Sequence, residues 1–114
     1  MIAFHGTPDT FVTYNDPSDR GPSVPEIMGE WALRNDCEPE PAEEPITDDV
    51  TLLRYDCPPG AEVLLYRVED GGHSWPGSEF SQAIANVVGY TTMSISANEL
   101  MWQFFEEHPL PIDD

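Results

Sequence analysis

Two short stretches carry residues able to do acid–base chemistry. One is His5-Gly6-Thr7-Pro8-Asp9, directly after the apolar run Ile2–Phe4. The other is Gly71-Gly72-His73-Ser74-Trp75-Pro76-Gly77, directly after the apolar run Glu62–Val68. Both runs read as buried strands, and open α/β sheets carry their functional loops at the carboxyl ends of strands. An aspartate loop followed in the chain by a histidine loop has the order of the last two members of a Ser, Asp, His triad. In that chemistry the imidazole takes the proton of a nucleophile and later returns it to a leaving group. The carboxylate fixes the tautomer of the ring and stabilises its cation. Asp9 and His73 are therefore the candidate acid and base. Gly71 and Gly72 give the backbone the freedom to present the ring at a strand end.

The neighbouring residues have other readings. His5 lies beside the strand end and is expected to support the Asp9 loop through hydrogen bonds. His108 follows a helix, where a cation suits the helix dipole. Ser74 adjoins His73, and side chains so placed diverge, which excludes it as the nucleophile. Trp75 is a candidate pocket wall, although a buried aromatic is the ordinary role of such a residue. His5, Asp9 and His73 also offer metal-ligand types. No H-E-x-x-H or H-x-x-E-H spacing supports a metal, and Asp16–Gly21 fails as a calcium loop because Arg20 occupies a ligand position. No metal and no cofactor is expected.

These loops need a scaffold, and the chain's 114 residues fit one modest domain spanning 1–114. Ser23-Val24-Pro25-Glu26 opens a helix that ends near Asn35, with Val24, Ile27, Met28, Trp31 and Ala32 on one apolar face. Glu38–Pro45 is acidic and proline-rich and reads as a solvated loop. Val50–Tyr55 and Glu62–Val68 form a hairpin, the second being a central buried strand. Phe11–Tyr14 reads as a brief extended piece and Asn15–Pro22 as a polar turn. Ser78–Thr92 is either one or two helical turns or a covering loop. Ser96–His108 is a helix with Leu100, Met101, Phe104 and Phe105 as its buried stripe, stopped by Pro109. The order strand, helix, hairpin, helix predicts an α/β layer with a parallel sheet covered by helices.

Charge narrows the function classes. Twenty-two acidic residues stand against four arginines and no lysine, for a net charge of −18. Nucleic acid and anionic membrane are excluded as partners, since neutralising their phosphates takes Lys and Arg. With 11% aromatics and clear amphipathic segments, the chain is not a disordered acidic tail. A carboxylate-rich surface adapted to high salt is the expectation, because concentrated salt screens self-repulsion. No signal peptide and no membrane-length apolar run is visible. The pair Cys37 and Cys57 suits either one disulfide or two free thiols.

Taken together, "IAFHGTPDTFVTY", "GEWALRNDC", "VTLLRYDC", "AEVLLYRVEDGGHSWPG" and "ISANELMWQFFEEHP" resemble the C-terminal part of the polyhydroxybutyrate depolymerase and feruloyl esterase-like family. These are secreted serine esterases of the α/β-hydrolase fold. The resemblance covers nearly the whole chain, and the ordered motifs H-G-x-x-D and G-G-H-x-W-P-G are its specific part. It implies that Asp9 is the triad acid, that His73 is the base and that Cys37 and Cys57 form a disulfide. It implies an extracellular enzyme acting on a polymer or plant-cell-wall ester. The family also carries a G-x-S-x-G nucleophile elbow and an oxyanion-hole loop, and this sequence has neither. Serines 18, 23, 74, 78, 81, 94 and 96 all lack that context. The expectation is the C-terminal segment of an α/β-hydrolase sheet, incomplete without the nucleophile half and inactive alone. Its exposed strand Ile2–Phe4 would favour association. The alternative is a catalytically inactive remnant or an interaction module.

Overall fold

The computed structural model describes residues 1–9, 12, 14 and 22–110. The extended piece expected at Phe11–Tyr14 falls largely outside the described residues, as do most of the turn at Asn15–Pro22 and the whole of Asp16–Gly21. Among the described residues the chain is mixed α/β, with strands β1 (Ile2–Gly6), β2 (Ala42–Pro45), β3 (Val50–Arg54) and β4 (Leu64–Val68). The helices are α1 (Val24–Arg34), α2 (Glu79–Ala83), α3 (Ala85–Val88) and α4 (Ala97–Glu107). None is long and apolar enough to cross a membrane.

The four strands make one sheet in the order β1-β4-β3-β2. The expected parallel sheet is instead mixed. Only β1 and β4 run parallel, with Gly6 opposite Val68. The hairpin makes β3 and β4 antiparallel, because a short turn can only reverse the chain. β2 adds antiparallel to β3. This corrects the reading of Glu38–Pro45 as a loop. β2 is exposed at every position, so it has no apolar alternation to betray it. Ion pairs from Glu44 to Arg54 at 3.6 Å and from Glu43 to Arg67 at 3.1 Å brace it instead.

Side-chain alternation in β3 and β4 splits the core between the two faces of the sheet. Leu53 and Leu65 pack with Met28 and Ala32 of α1, and with Tyr55 and Val63. Val50, Leu52, Leu64, Tyr66 and Val68 pack with Phe104 of α4. Both helices start on serine caps: Ser23 Oγ accepts from Glu26 N and Ser96 Oγ from Glu99 N, each at 3.3 Å. Two expected core residues lie outside it. Trp31 sits at the edge of its stripe under the Arg34 guanidinium, 5.4 Å from the ring centre. Phe105 is half exposed, one position beyond Phe104.

Cys37 and Cys57 are joined in a disulfide that ties the end of α1 to the chain just after β3. Both half-cystines pack against the α1-side core. Ser78–Thr92 resolves into α2, α3 and a covering segment. At the end of α4, His108 Nδ1 donates to Phe104 O at 2.7 Å and its Nε2 meets the Glu62 carboxylate. His108 is thus held by a side-chain partner as well as by the helix end.

Candidate active site

Because β1 and β4 are parallel neighbours, their carboxyl ends open side by side. The loops that follow carry Asp9 and His73, 64 positions apart in sequence, into contact: His73 Nδ1 lies 2.9 Å from Asp9 Oδ2. The approach depends on missing side chains. A Cβ on Gly6 would stand 2.1 Å from the Gly71 carbonyl oxygen, and one on Gly72 would stand 2.0 Å from that of Val88. The sequence suggested backbone freedom for Gly71 and Gly72. Their service is space, since neither adopts a positive φ. Asp70 makes the positive-φ turn ahead of them, at φ 59°.

Asp9 is 5% exposed. Its Oδ1 accepts the Val12 N–H at 2.9 Å, a local turn bond that aims Oδ2 at His73. With the carboxylate as acceptor of this contact, the proton of a neutral His73 ring sits on Nδ1 and Nε2 faces away from Asp9. His5 Nε2 lies 3.5 Å from the same Oδ2. That is long for a hydrogen bond, so His5 packs beside the Asp9 carboxylate without the close bond expected of it. Burial pushes the His5 pKa down, Asp9 pulls it up and His73 pushes it down, with the net shift downward. Among the described residues His5 Nδ1 is buried with no hydrogen-bond partner.

The His73 loop is laced to the segment after α3. His73 N donates to Val88 O at 2.7 Å and Gly72 N to Tyr90 O at 3.0 Å. Ser74 Oγ also donates to Tyr90 O, at 3.0 Å. Trp75 is 40% exposed rather than buried. It packs at a tilt on Phe4, 5.7 Å between ring centres, and its Nε1 donates to Asn98 Oδ1 of α4 at 2.8 Å.

Together these groups line an open cleft of about 460 Å³, walled by Phe4, His5, Val12 and Trp75 with Asp9 and His73 at its floor and rim. Half of the His73 side chain is exposed there. Two serines also line it. Ser74 spends its hydroxyl on Tyr90 O, and Ser81 Oγ accepts from Trp75 N at 3.2 Å. Among the described residues no group of three or more His, Cys, Asp or Glu side chains is placed to hold a metal. Val88 and Tyr90 were not singled out from the sequence, and neither left a signal there. Gly6 was read as part of the H-G-x-x-D motif, but the close approach it permits was not. Comparison of the chain with family models, with curated proteins and with solved structures finds no match to any of the three.

Proposed function

We propose that Asp9 and His73 are the acid and base of a serine-type acyl-transfer site, and that the chain is the C-terminal segment of an α/β-hydrolase acting on carboxylic esters. The observation that carries this reading is the 2.9 Å contact between a buried carboxylate and a half-exposed imidazole, at the ends of adjacent parallel strands and on one cleft. The carboxylate orients the ring, and Nε2 takes the proton of an attacking hydroxyl. Ser74 spends its hydroxyl on a backbone carbonyl, Ser81 accepts a backbone N–H, and no serine of the sequence sits in a G-x-S-x-G context, so this reading takes the nucleophile from polypeptide outside these 114 residues. The family resemblance implies hydroxyalkanoate or hydroxycinnamoyl esters as substrates and an extracellular setting. β1 is the last strand on its side of the sheet, the place where a completing strand would add.

The test is an ester assay in molar salt, on the 114-residue chain alone and joined to the polypeptide encoded immediately upstream. The chain alone is expected to be inactive. The joined protein is expected to turn over a p-nitrophenyl ester and to lose about 10⁴-fold in kcat on Asp9→Asn. Hydrolysis by the chain alone that survives His73→Ala would overturn the reading. An upstream frame with no nucleophile elbow would leave the inactive remnant or interaction module in its place.

A further inference from the structure

We propose that Asp49 and Tyr90 form a strut that sets the position of His73, which makes both of them positioning residues for the acid–base pair. Tyr90 is joined to the His73 loop through its backbone. Its carbonyl accepts Gly72 N and Ser74 Oγ, both at 3.0 Å, so it grips the residues on either side of His73. The side chain of Tyr90 faces the opposite task, its hydroxyl donating to Asp49 Oδ2 at 2.7 Å. Asp49 in turn is fixed to the sheet. It immediately precedes β3, its carbonyl accepts Glu69 N just past β4 at 2.8 Å, and its Oδ1 accepts the Thr47 hydroxyl at 2.9 Å.

An unbroken chain of hydrogen bonds therefore runs from the sheet through Asp49 and Tyr90 to both flanks of His73. Without it, the covering segment after α3 would hold the histidine loop but have less to hold it against the sheet. Burial opposes ionisation of Asp49, yet the hydroxyls of Thr92, Tyr90, Thr47 and Ser94 outweigh it and bring its pKa to about 2. The strut thus stays charged, and charge-assisted bonds are the stronger kind.

That the strut serves catalysis rests on the acid–base reading, and two readouts keep the two claims separate. The experiment is NMR at one fixed pH on the chain labelled with ¹⁵N, comparing wild type with Tyr90→Phe, which keeps the ring, and Asp49→Asn, which keeps the shape. Backbone amide exchange at Gly72 and His73 reads the strut. The Nδ1 proton of His73, and its loss in Asp9→Asn, reads the acid–base pair. Both variants are expected to exchange the Gly72 and His73 amides several-fold faster and to lose the His73 Nδ1 proton signal, with the ring signals of the distant His108 unmoved. Unchanged amide exchange at Gly72 and His73 in Tyr90→Phe would overturn the strut. So would an equal loss at His108, which would mark a general loosening of the fold. A wild-type His73 with no Asp9-dependent Nδ1 proton would sink the acid–base reading, while the amide data still judged the strut. In the joined enzyme the variants should lower kcat with KM unchanged.

Discussion

Replacing Gly6 by alanine should damage the site more than its single methyl suggests. The added Cβ would meet the Gly71 carbonyl oxygen at 2.1 Å, its carbon at 2.3 Å and the Gly72 oxygen at 2.7 Å. All three are backbone atoms, so no side chain can swing aside. A Cβ keeps at least 3.0 Å from such atoms, which forces the two strand-end loops apart by about 1 Å. A parting of about 1 Å in that direction would carry the 2.9 Å His73–Asp9 contact to about 4 Å, outside hydrogen-bond range. Overpacking of this kind costs about 1–3 kcal/mol in stability, and a 1 Å misplacement of catalytic groups costs about 10²-fold in rate. Gly29 supplies the control. It lies inside α1 with nothing within 4 Å of its would-be Cβ, so the same change there should stabilise the chain by about 0.5–1 kcal/mol. Urea unfolding of both variants, with the Nδ1 proton signal of His73 recorded alongside, makes the comparison. A Gly6→Ala chain with the wild-type midpoint and an intact His73 signal would refute the claim that this close approach builds the pair.

Three more outcomes follow from the same structure. Removing the Cys37–Cys57 disulfide, whose half-cystines are 20 positions apart, should cost about 3 kcal/mol by chain entropy, and equal urea midpoints with and without reductant would contradict this. The hydrogen bond to Glu62 raises the His108 pKa above 6.5, and the same bond lowers that of Glu62 below 4.5. The His108 contribution is complete below 6.5 and fades as pH climbs through its folded value, whereas that of Glu62 is complete above 4.5 and fades as pH falls through its folded value. A double-mutant cycle on the pair should therefore show its largest coupling between those two values, and coupling that grows toward alkaline pH would be the wrong sign. Diluting salt from molar to millimolar should unfold the chain, since a net charge of −18 is screened within about 3 Å only in the concentrated solution. A far-UV circular dichroism spectrum indifferent to salt would remove the high-salt reading.

What the sequence disclosed and what it hid separate along physical lines. Capped helices and the hairpin are local, so Ser23, Ser96 and the proline–glycine turn between β3 and β4 announced them. The two loops bearing Asp9 and His73 could be read because each follows an apolar run and holds distinctive residues. β2 was hidden because its pairing rests on Glu43 and Glu44 finding Arg67 and Arg54, and that depends on the folded register. The mixed sheet was half legible: the hairpin already required an antiparallel β3–β4 pair, while the parallel seat of β1 beside β4 depends on long connections that leave no local signature. Tyr90 and Asp49 have no local signature. Their relation to His73 exists only once the covering segment lies across the ends of the strands.

The placement of charge bears on what the cleft can accept. Of the many carboxylates in the chain, Asp9 is the one that lines the cleft among the described residues, and it faces two imidazoles. Of the described arginines, Arg67 is spent on Glu43 and Glu69 and Arg54 on Glu44. Arg34 lies over Trp31 on α1. Among the described residues no arginine lines the cleft, so a phosphorylated or carboxylated substrate would find no counter-charge from them and would meet the field of the surface carboxylates. A neutral ester meets neither problem. Its hydrolysis releases a carboxylate, which the same field drives outward, and this assistance weakens as salt is added. On the proposed reading, product inhibition by the free acid should be weakest at the lowest salt at which the protein stays folded.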